Sequence, residues 1–285
     1  MILNKKRFKW LSQRNDVQDI ETIISNIVSK KKINYFIEPF SGGLSTAVKV
    51  TPILKKYGVK HIIVNNVNQT VIHTYHYTRN NVEELFEAYW AHEEEVINLF
   101  ETYSVKNDKK LILTKMKEHY EEKRKEFNNS LYENSIKHSA LFLFLVNRSL
   151  NLTYSVNSKE EYVASFCNEI HLFEKEERKN TFKNYNNLFA SFDVVFEKMN
   201  PFNFIDKYKR LHKKAIFYFD PDYSDTFFDF FHKNHVLIEA EQMSFTQFYK
   251  LFENLIIKKE NIGVLNESLI ETNNFQLTND YYFKY

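Results

Sequence analysis

The 285-residue sequence predicts an α/β fold, a doubly wound and mainly parallel sheet interrupted by a largely helical insertion. Three observations carry this. Two short β-rich runs, Ile33-Asn34-Tyr35-Phe36-Ile37 and His61-Ile62-Ile63-Val64-Asn65, bracket a stretch of helical periodicity, which is the βαβ order of a parallel sheet. Strand-like runs return only after residue 190, at 193–198, 215–219 and 261–265. The interval between them is charged and helical in pattern.

The elements follow in order. Residues 16–30 carry Val17, Ile20, Ile23, Ile24 and Ile27 at helical spacing, with Asp16 as N-cap. A strand at 33–38 leads to Gly42-Gly43, half of the four glycines in the chain. Strand, glycine turn and helix bring backbone N–H groups close to a nucleotide-like ligand. The same pattern also fits a plain tight turn. A helix over 44–57 ends at Gly58, the usual C-terminal position for glycine. The strand at 61–65 runs into Asn66-Val67-Asn68. Helices are predicted over 69–78, 81–103, 108–128, 134–146 and 174–189, with Ala140–Val146 apolar enough to be buried. The polar segment 147–168 between the last two predicts an irregular hairpin. A further helix, 244–258, precedes the last strand. The predicted domains are 1–75 with 186–285, forming the sheet domain, and 76–185, the helical insertion.

Composition narrows the function. Net charge is +2, so any nucleic-acid contact must come from local basic patches such as Lys123-Arg124-Lys125. The single cysteine, Cys167, excludes an intrachain disulfide framework and a cysteine-rich zinc site, and it suits a cytoplasmic protein. None of the ten histidines shows metal-ligand spacing, so no metal is expected. There is no apolar run of about 18 residues to cross a membrane, and the N-terminus lacks an apolar signal core.

The most informative stretch is Asp220-Pro221-Asp222-Tyr223, directly after the run Ala215-Ile216-Phe217-Tyr218-Phe219. In open α/β sheets, ligands bind beyond the carboxyl ends of the strands. An acid, a fixed backbone carbonyl and a flat ring there can hold and stack a planar base with an exocyclic amine. Asp-Pro after a strand is also a common turn start.

Seven segments, in order, together resemble the Dam-type N6-adenine DNA methyltransferases. Lys9-Trp10 followed by Arg14 is similar to the family's Lys-Trp-x-Gly-x-Lys. Phe36-Ile37-Glu38-Pro39-Phe40-Ser41-Gly42-Gly43 resembles its Glu-Pro-Phe-x-Gly-Gly cofactor loop. Asn65-Asn66-Val67-Asn68 stands at Asn-Asp-x-Asn. Tyr120, Arg124, Phe127 and Asn128 fit Tyr…Arg-x-x-Phe-Asn. Phe142 to Ser149 resembles a helix ending in Leu-Asn-Arg-Thr. Tyr154 to Lys159, then Phe166, resembles the DNA-contacting hairpin, and Asp220–Tyr223 sits at Asp-Pro-Pro-Tyr. Asn66 replaces an acid, Asp222 the second proline and Arg14 a lysine; Ser155 falls where many relatives carry a base-reading arginine.

The resemblance implies a Rossmann-like methyltransferase fold. It implies S-adenosylmethionine as donor, double-stranded DNA as substrate and direct transfer to a flipped adenine with neither a covalent enzyme intermediate nor a metal. Asp220, Pro221 and Tyr223, with Asp222 beside them, are the implied catalytic residues. Trp10, Arg14, Phe40, Gly42, Asn66 and Asp220 are implied at the cofactor. Arg124, Asn128, Asn151, Thr153, Ser155 and Asn157 are implied at the DNA. A restriction–modification partner fits this family. A second function class also fits the altered motifs: a catalytically weakened paralogue acting as a DNA-binding or regulatory subunit of a methyltransferase. A third is methylation of RNA or another amine.

Overall fold

A computed structural model describes residues 20–131, 133–152, 154–218 and 263–264. In chain order the elements are α1 (Ile20–Lys30), β1 (Tyr35–Glu38), α2 (Ser45–Lys56), β2 (His61–Asn65), α3 (Gln69–Asn80), α4 (Val82–Ser104), α5 (Lys109–Asn129), α6 (Ile136–Arg148), α7 (Lys175–Ser191), β3 (Asp193–Glu197), α8 (Pro201–Tyr208), β4 (Ala215–Tyr218) and β5 (Gly263–Val264). Short 3-10 turns cover Leu150–Leu152 and Lys209–Lys214. The chain forms two compact units. Among the described residues, one holds Gly42–Lys49 and Asn68–Ser191, and the other holds 20–41, Val50–Val67, 192–218 and 263–264. The division passes through α2.

The sheet unit carries β3-β2-β1-β4-β5 in that order, and every described pairing is parallel. The predicted doubly wound, mainly parallel sheet is therefore the fold. Its central strands are apolar on both faces, as a covered parallel sheet requires: Phe36, Ile37, Ile62, Val64 and Ile216 are all fully buried. Gly58 closes α2 with φ 75, its N–H bonding Lys55 O at 3.1 Å while Val59 N bonds Leu54 O at 3.0 Å. These two bonds satisfy carbonyls that the helix end leaves open, and the left-handed residue between them suits glycine. The predicted N-cap Asp16 and the predicted helix 244–258 lie outside the described residues.

α8 had no counterpart among the predicted elements. It is two turns long, starts with Pro201 at its first position, and buries Phe204 completely. Its apolar recurrence is too short to stand out from the basic run 207–214 that follows it.

The helical unit is built around α6, which packs against α3, α4 and α5. Ser135 caps α6 by accepting from His138 N, and every residue from His138 to Arg148 is buried. A helix apolar on all sides must be enclosed by others, and the order α3 to α7 supplies them. Within this packing lies a buried ion pair between Glu93 of α4 and Arg148 at the end of α6. Tyr89 donates to the other oxygen of Glu93 at 2.7 Å. Arg148 also donates to His171 O at 2.5 Å. Burial, helped by the carboxylate of Glu93, raises the Tyr89 hydroxyl well above the usual tyrosine range and keeps it a donor. Among the described residues, no helix is long and apolar enough to cross a membrane.

Removing one member of a buried pair strands the other charge. Glu93→Gln is therefore expected to lower unfolding stability by about 3 kcal/mol or more, measured by urea denaturation. A loss below about 1 kcal/mol, the scale of an exposed pair, would contradict the buried pair.

Candidate active site and nucleic-acid interface

The strand order places a switch point between β1 and β4. The chain proceeds outward from β1 through β2 to β3, then returns to the other side of β1. Crevices form at the carboxyl ends of strands where the order reverses. β1 delivers Glu38, which is 4% exposed, and then Pro39, Phe40 and Ser41. β4 ends at Tyr218, and Asp220, Pro221, Asp222 and Tyr223 lie outside the described residues.

Asn65, the last residue of β2, ties the loops of this edge together. It is fully buried. Its Nδ2 donates to Pro39 O and to Met199 O, both at 3.0 Å, and its Oδ1 accepts from Met199 N at 3.0 Å. Its own carbonyl accepts twice from Ser41, from N at 3.0 Å and from Oγ at 2.7 Å. One side chain and one carbonyl thus join the loops after β1 and β3 to β2. The chain solves the problem of polar backbone at a buried edge by spending an amide that has both donors and an acceptor.

Asn66 is half-buried; its Nδ2 donates to Ser41 O and its N–H to Glu197 O at 3.1 Å. The Phe40 ring packs against the cluster of Ile37, Ile63, Phe204, Ala215 and Phe217. Glu197, at the end of β3, receives Lys207 and the Tyr208 hydroxyl, each at 2.6 Å. Burial works to raise its carboxyl, but these two hydrogen bonds outweigh it and hold the group below the usual carboxylate range. Trp10 and Arg14 lie outside the described residues. Gly42 belongs to the helical unit, where it is exposed and its carbonyl accepts from Tyr75. Leu44, two residues on, takes a left-handed φ of 53 with its side chain buried, a conformation uncommon outside glycine.

Sequence reasoning singled out neither Ser41 nor Asn65 as a positioning residue. The available signal was a polar residue closing an otherwise apolar strand, His61-Ile62-Ile63-Val64.

In the helical unit, residues 149–166 fold back as the irregular hairpin expected. Ser149 and Val156 make isolated antiparallel bridges to Phe166 and Tyr162, and Leu150 N bonds Ser165 O at 2.7 Å. One face of α5 grips the returning strand. Tyr120 donates to Ala164 O at 2.9 Å, Arg124 Nη1 to Ala164 O at 3.1 Å, and Asn128 pairs with Tyr162 through Nδ2 to O at 3.1 Å and N to Oδ1 at 2.8 Å. Positions 120, 124, 127 and 128 share a helix face, and Phe127 completes it by packing on Phe142 and Tyr162. Burial raises the Tyr120 hydroxyl far above its usual value and pushes Tyr162 up to about 12, so both stay protonated.

Arg124 and Asn128, expected at DNA, are thus engaged with hairpin backbone. Asn157 shapes the tip: its Oδ1 accepts from Lys159 N at 2.8 Å and Glu161 N at 3.1 Å. Ser155 is half-buried, and its carbonyl accepts from Val163 N at 2.9 Å. Asn151 lies in the 3-10 turn, and Thr153 lies outside the described residues. Tyr154 packs edge-on to Phe142 and accepts from Asn68 at the start of α3.

The family model for D12 class N6 adenine-specific DNA methyltransferases matches residues 17–277. The chain is also similar to the type II methyltransferase M.MjaIII of Methanocaldococcus jannaschii, 27% identical over 233 residues that cover 78% of this chain and 75% of that relative.

Asn128→Ala removes both bonds to the Tyr162 backbone. Hydrogen exchange at the Tyr162 amide is expected to quicken by roughly tenfold or more, the equivalent of one or two hydrogen bonds. Unchanged protection would contradict the clamp.

Proposed function

The chain belongs to the D12 class N6 adenine-specific DNA methyltransferases, and from this premise we propose that it carries the methyl group of S-adenosylmethionine to the N6 amine of an adenine flipped out of duplex DNA. That it methylates adenine in DNA follows from the family; the donor, the flipped base and the residue roles are our reading. The observation that carries the reading is the switch point between β1 and β4. The glycine loop follows one strand, and Asp220-Pro221-Asp222-Tyr223 follows the other in sequence.

The residues present fit a nucleotide-like donor. The loop after β1 is fixed by Asn65, carries the half-buried Phe40 ring and continues into two glycines. Trp10, Arg14, Phe40, Gly42, Asn66 and Asp220 would hold the donor, which supplies an electrophilic sulfonium methyl. Asn66 stands where an acid is usual, so it offers neutral rather than charge-assisted hydrogen bonds.

The amine of adenine is a poor nucleophile because its lone pair is delocalised into the ring. The Asp220 carboxylate and the Pro221 carbonyl accept its two N–H bonds and free the lone pair for attack. Tyr223 stacks on the base and holds it in line. Asp222 follows Pro221 in sequence, and we read it as a tolerated replacement of the second proline. The helical unit of α3 to α7 serves target recognition, with Asn151, Thr153, Ser155 and Asn157 meeting the duplex. Arg124 and Asn128 hold the returning strand of this hairpin through Ala164 O and Tyr162 O, and we read them as sharing its phosphate contacts. The type II designation of M.MjaIII fits a restriction–modification partner, and we place the chain in the cytoplasm with its DNA substrate.

The experiment is tritiated methyl transfer to unmethylated genomic DNA, followed by nucleoside analysis. N6-methyladenine is the expected product, and Asp220→Ala is expected to abolish it with little loss of donor affinity. Tyr223→Ala should weaken capture of the base by about 1–3 kcal/mol, while Asp222→Pro should change activity little. Activity that survives Asp220→Ala would sink the mechanism.

A further inference from the structure

Immediately after the hairpin, the segment Cys167–His171 gathers three different donor atoms. Cys167 Sγ lies 3.8 Å from His171 Nε2, and Glu169 Oε2 lies 3.0 Å from the same nitrogen. One donor atom from each residue falls within 4.8 Å of the others. We propose that Cys167, Glu169 and His171 form a zinc-binding site that clips the base of the hairpin.

The donor set favours zinc. A thiolate, an imidazole and a carboxylate are its usual ligands, whereas a thiolate is a poor partner for the hard cations magnesium and calcium. The distances fit as well. With Zn–S of about 2.3 Å and Zn–N of about 2.0–2.1 Å, a tetrahedron separates sulfur from nitrogen by roughly 3.6 Å, against the 3.8 Å found. The nitrogen–oxygen separation would open by a few tenths of an ångström, from 3.0 Å to roughly 3.4 Å. The third separation, sulfur to oxygen, lies within 4.8 Å, against roughly 3.6 Å in a tetrahedron. The Glu169–His171 pair then becomes a pair of ligands, the Cys167 thiol releases its proton to solvent, and water takes the fourth position.

The segment is held ready for this. Arg148 fixes both of its ends: its carbonyl accepts from Cys167 N at 2.9 Å, and its Nη1 donates to His171 O at 2.5 Å. Arg148 is itself fixed by the buried Glu93. Between the ends, Glu169 N bonds Cys167 O at 2.7 Å, a tight turn that brings alternate residues together. Cys167 and His171 are buried, 7% and 6% exposed, whereas half of the Glu169 side chain faces solvent. Two ligands are thus shielded and the third opens a path for the ion. These bonds fix the backbone from which the three donor side chains project. The site closes the base of the hairpin, and its role there is to stiffen it.

The test uses the full chain, stripped with a chelator and titrated with cobalt(II), then with zinc. Cys167 is the sole cysteine, so a thiolate-to-cobalt charge-transfer band in the near ultraviolet reports that residue alone. We expect the band to saturate at one cobalt per chain and to bleach on adding zinc. Cys167→Ser should abolish it. His171→Gln should weaken zinc binding at least about 100-fold and Glu169→Gln at least about tenfold, losses at or above those of outer-shell partners. Far-ultraviolet circular dichroism on each variant reports whether it folds. No thiolate band in the wild-type chain at saturating cobalt would overturn the proposal, whatever the variants do. So would zinc uptake that both Cys167→Ser and His171→Gln leave unchanged.

Discussion

The Asn65 amide is the constraint on which the sheet unit's carboxyl edge depends. Strands in a parallel sheet end in loops whose backbone groups leave the ladder and need new partners. Here one buried side chain serves the loop after β1 through Pro39 and the loop after β3 through Met199. Its backbone carbonyl holds Ser41 twice. Asn66 adds a bond from the next residue to the same Ser41 and takes the Glu197 carbonyl. The loop that leads to the paired glycines is thereby fixed to the sheet before any ligand arrives. Preorganisation of this kind lowers the ordering cost of binding.

The helical unit applies the same principle to a hairpin that has few ladder bonds of its own. A two-stranded ribbon is marginal in water, and this one is held from outside. The α5 side chains Tyr120, Arg124 and Asn128 take the carbonyls of Tyr162 and Ala164. A layer of rings, Phe127, Phe142, Tyr154 and Tyr162, packs beneath it. At its base Arg148 reaches from the end of α6 to His171, neutralised by Glu93. The Tyr…Arg-x-x-Phe-Asn spacing thus has a mechanical meaning: one residue per turn of α5 reaches the returning strand, Tyr120 and Arg124 at Ala164 and Asn128 at Tyr162.

Much of this fold was legible because its signals were local. β2 is a run of β-branched residues bounded by a glycine turn and an asparagine, and it forms on His61–Asn65. α4 and α5 are long and periodic, and their ends fall within a residue or so of the predicted bounds. α8 was not legible, because two turns give too little periodicity against a basic background. The site was less legible than the fold. Motif order named Asn66, Arg124 and Asn128, but what their side chains hold depends on backbone groups up to 40 residues away in sequence. Nor did the sequence single out Asn65 or Ser41, whose roles arise only once three strands lie side by side. The grouping of Cys167, Glu169 and His171 was hidden for a similar reason: alternate residues of an extended segment normally point the same way without converging, and the tight turn at Cys167–Glu169 makes these converge.

The central claim is that the loop anchored by Asn65 presents the donor site. Calorimetric titration with S-adenosylmethionine, on the wild-type chain and on Asn65→Ser, tests this most directly. The account predicts saturable one-to-one binding to the wild type and a marked loss of affinity in the variant, with its helical content retained by circular dichroism. No binding to the wild-type chain, or equal affinity in a folded Asn65→Ser variant, would contradict it.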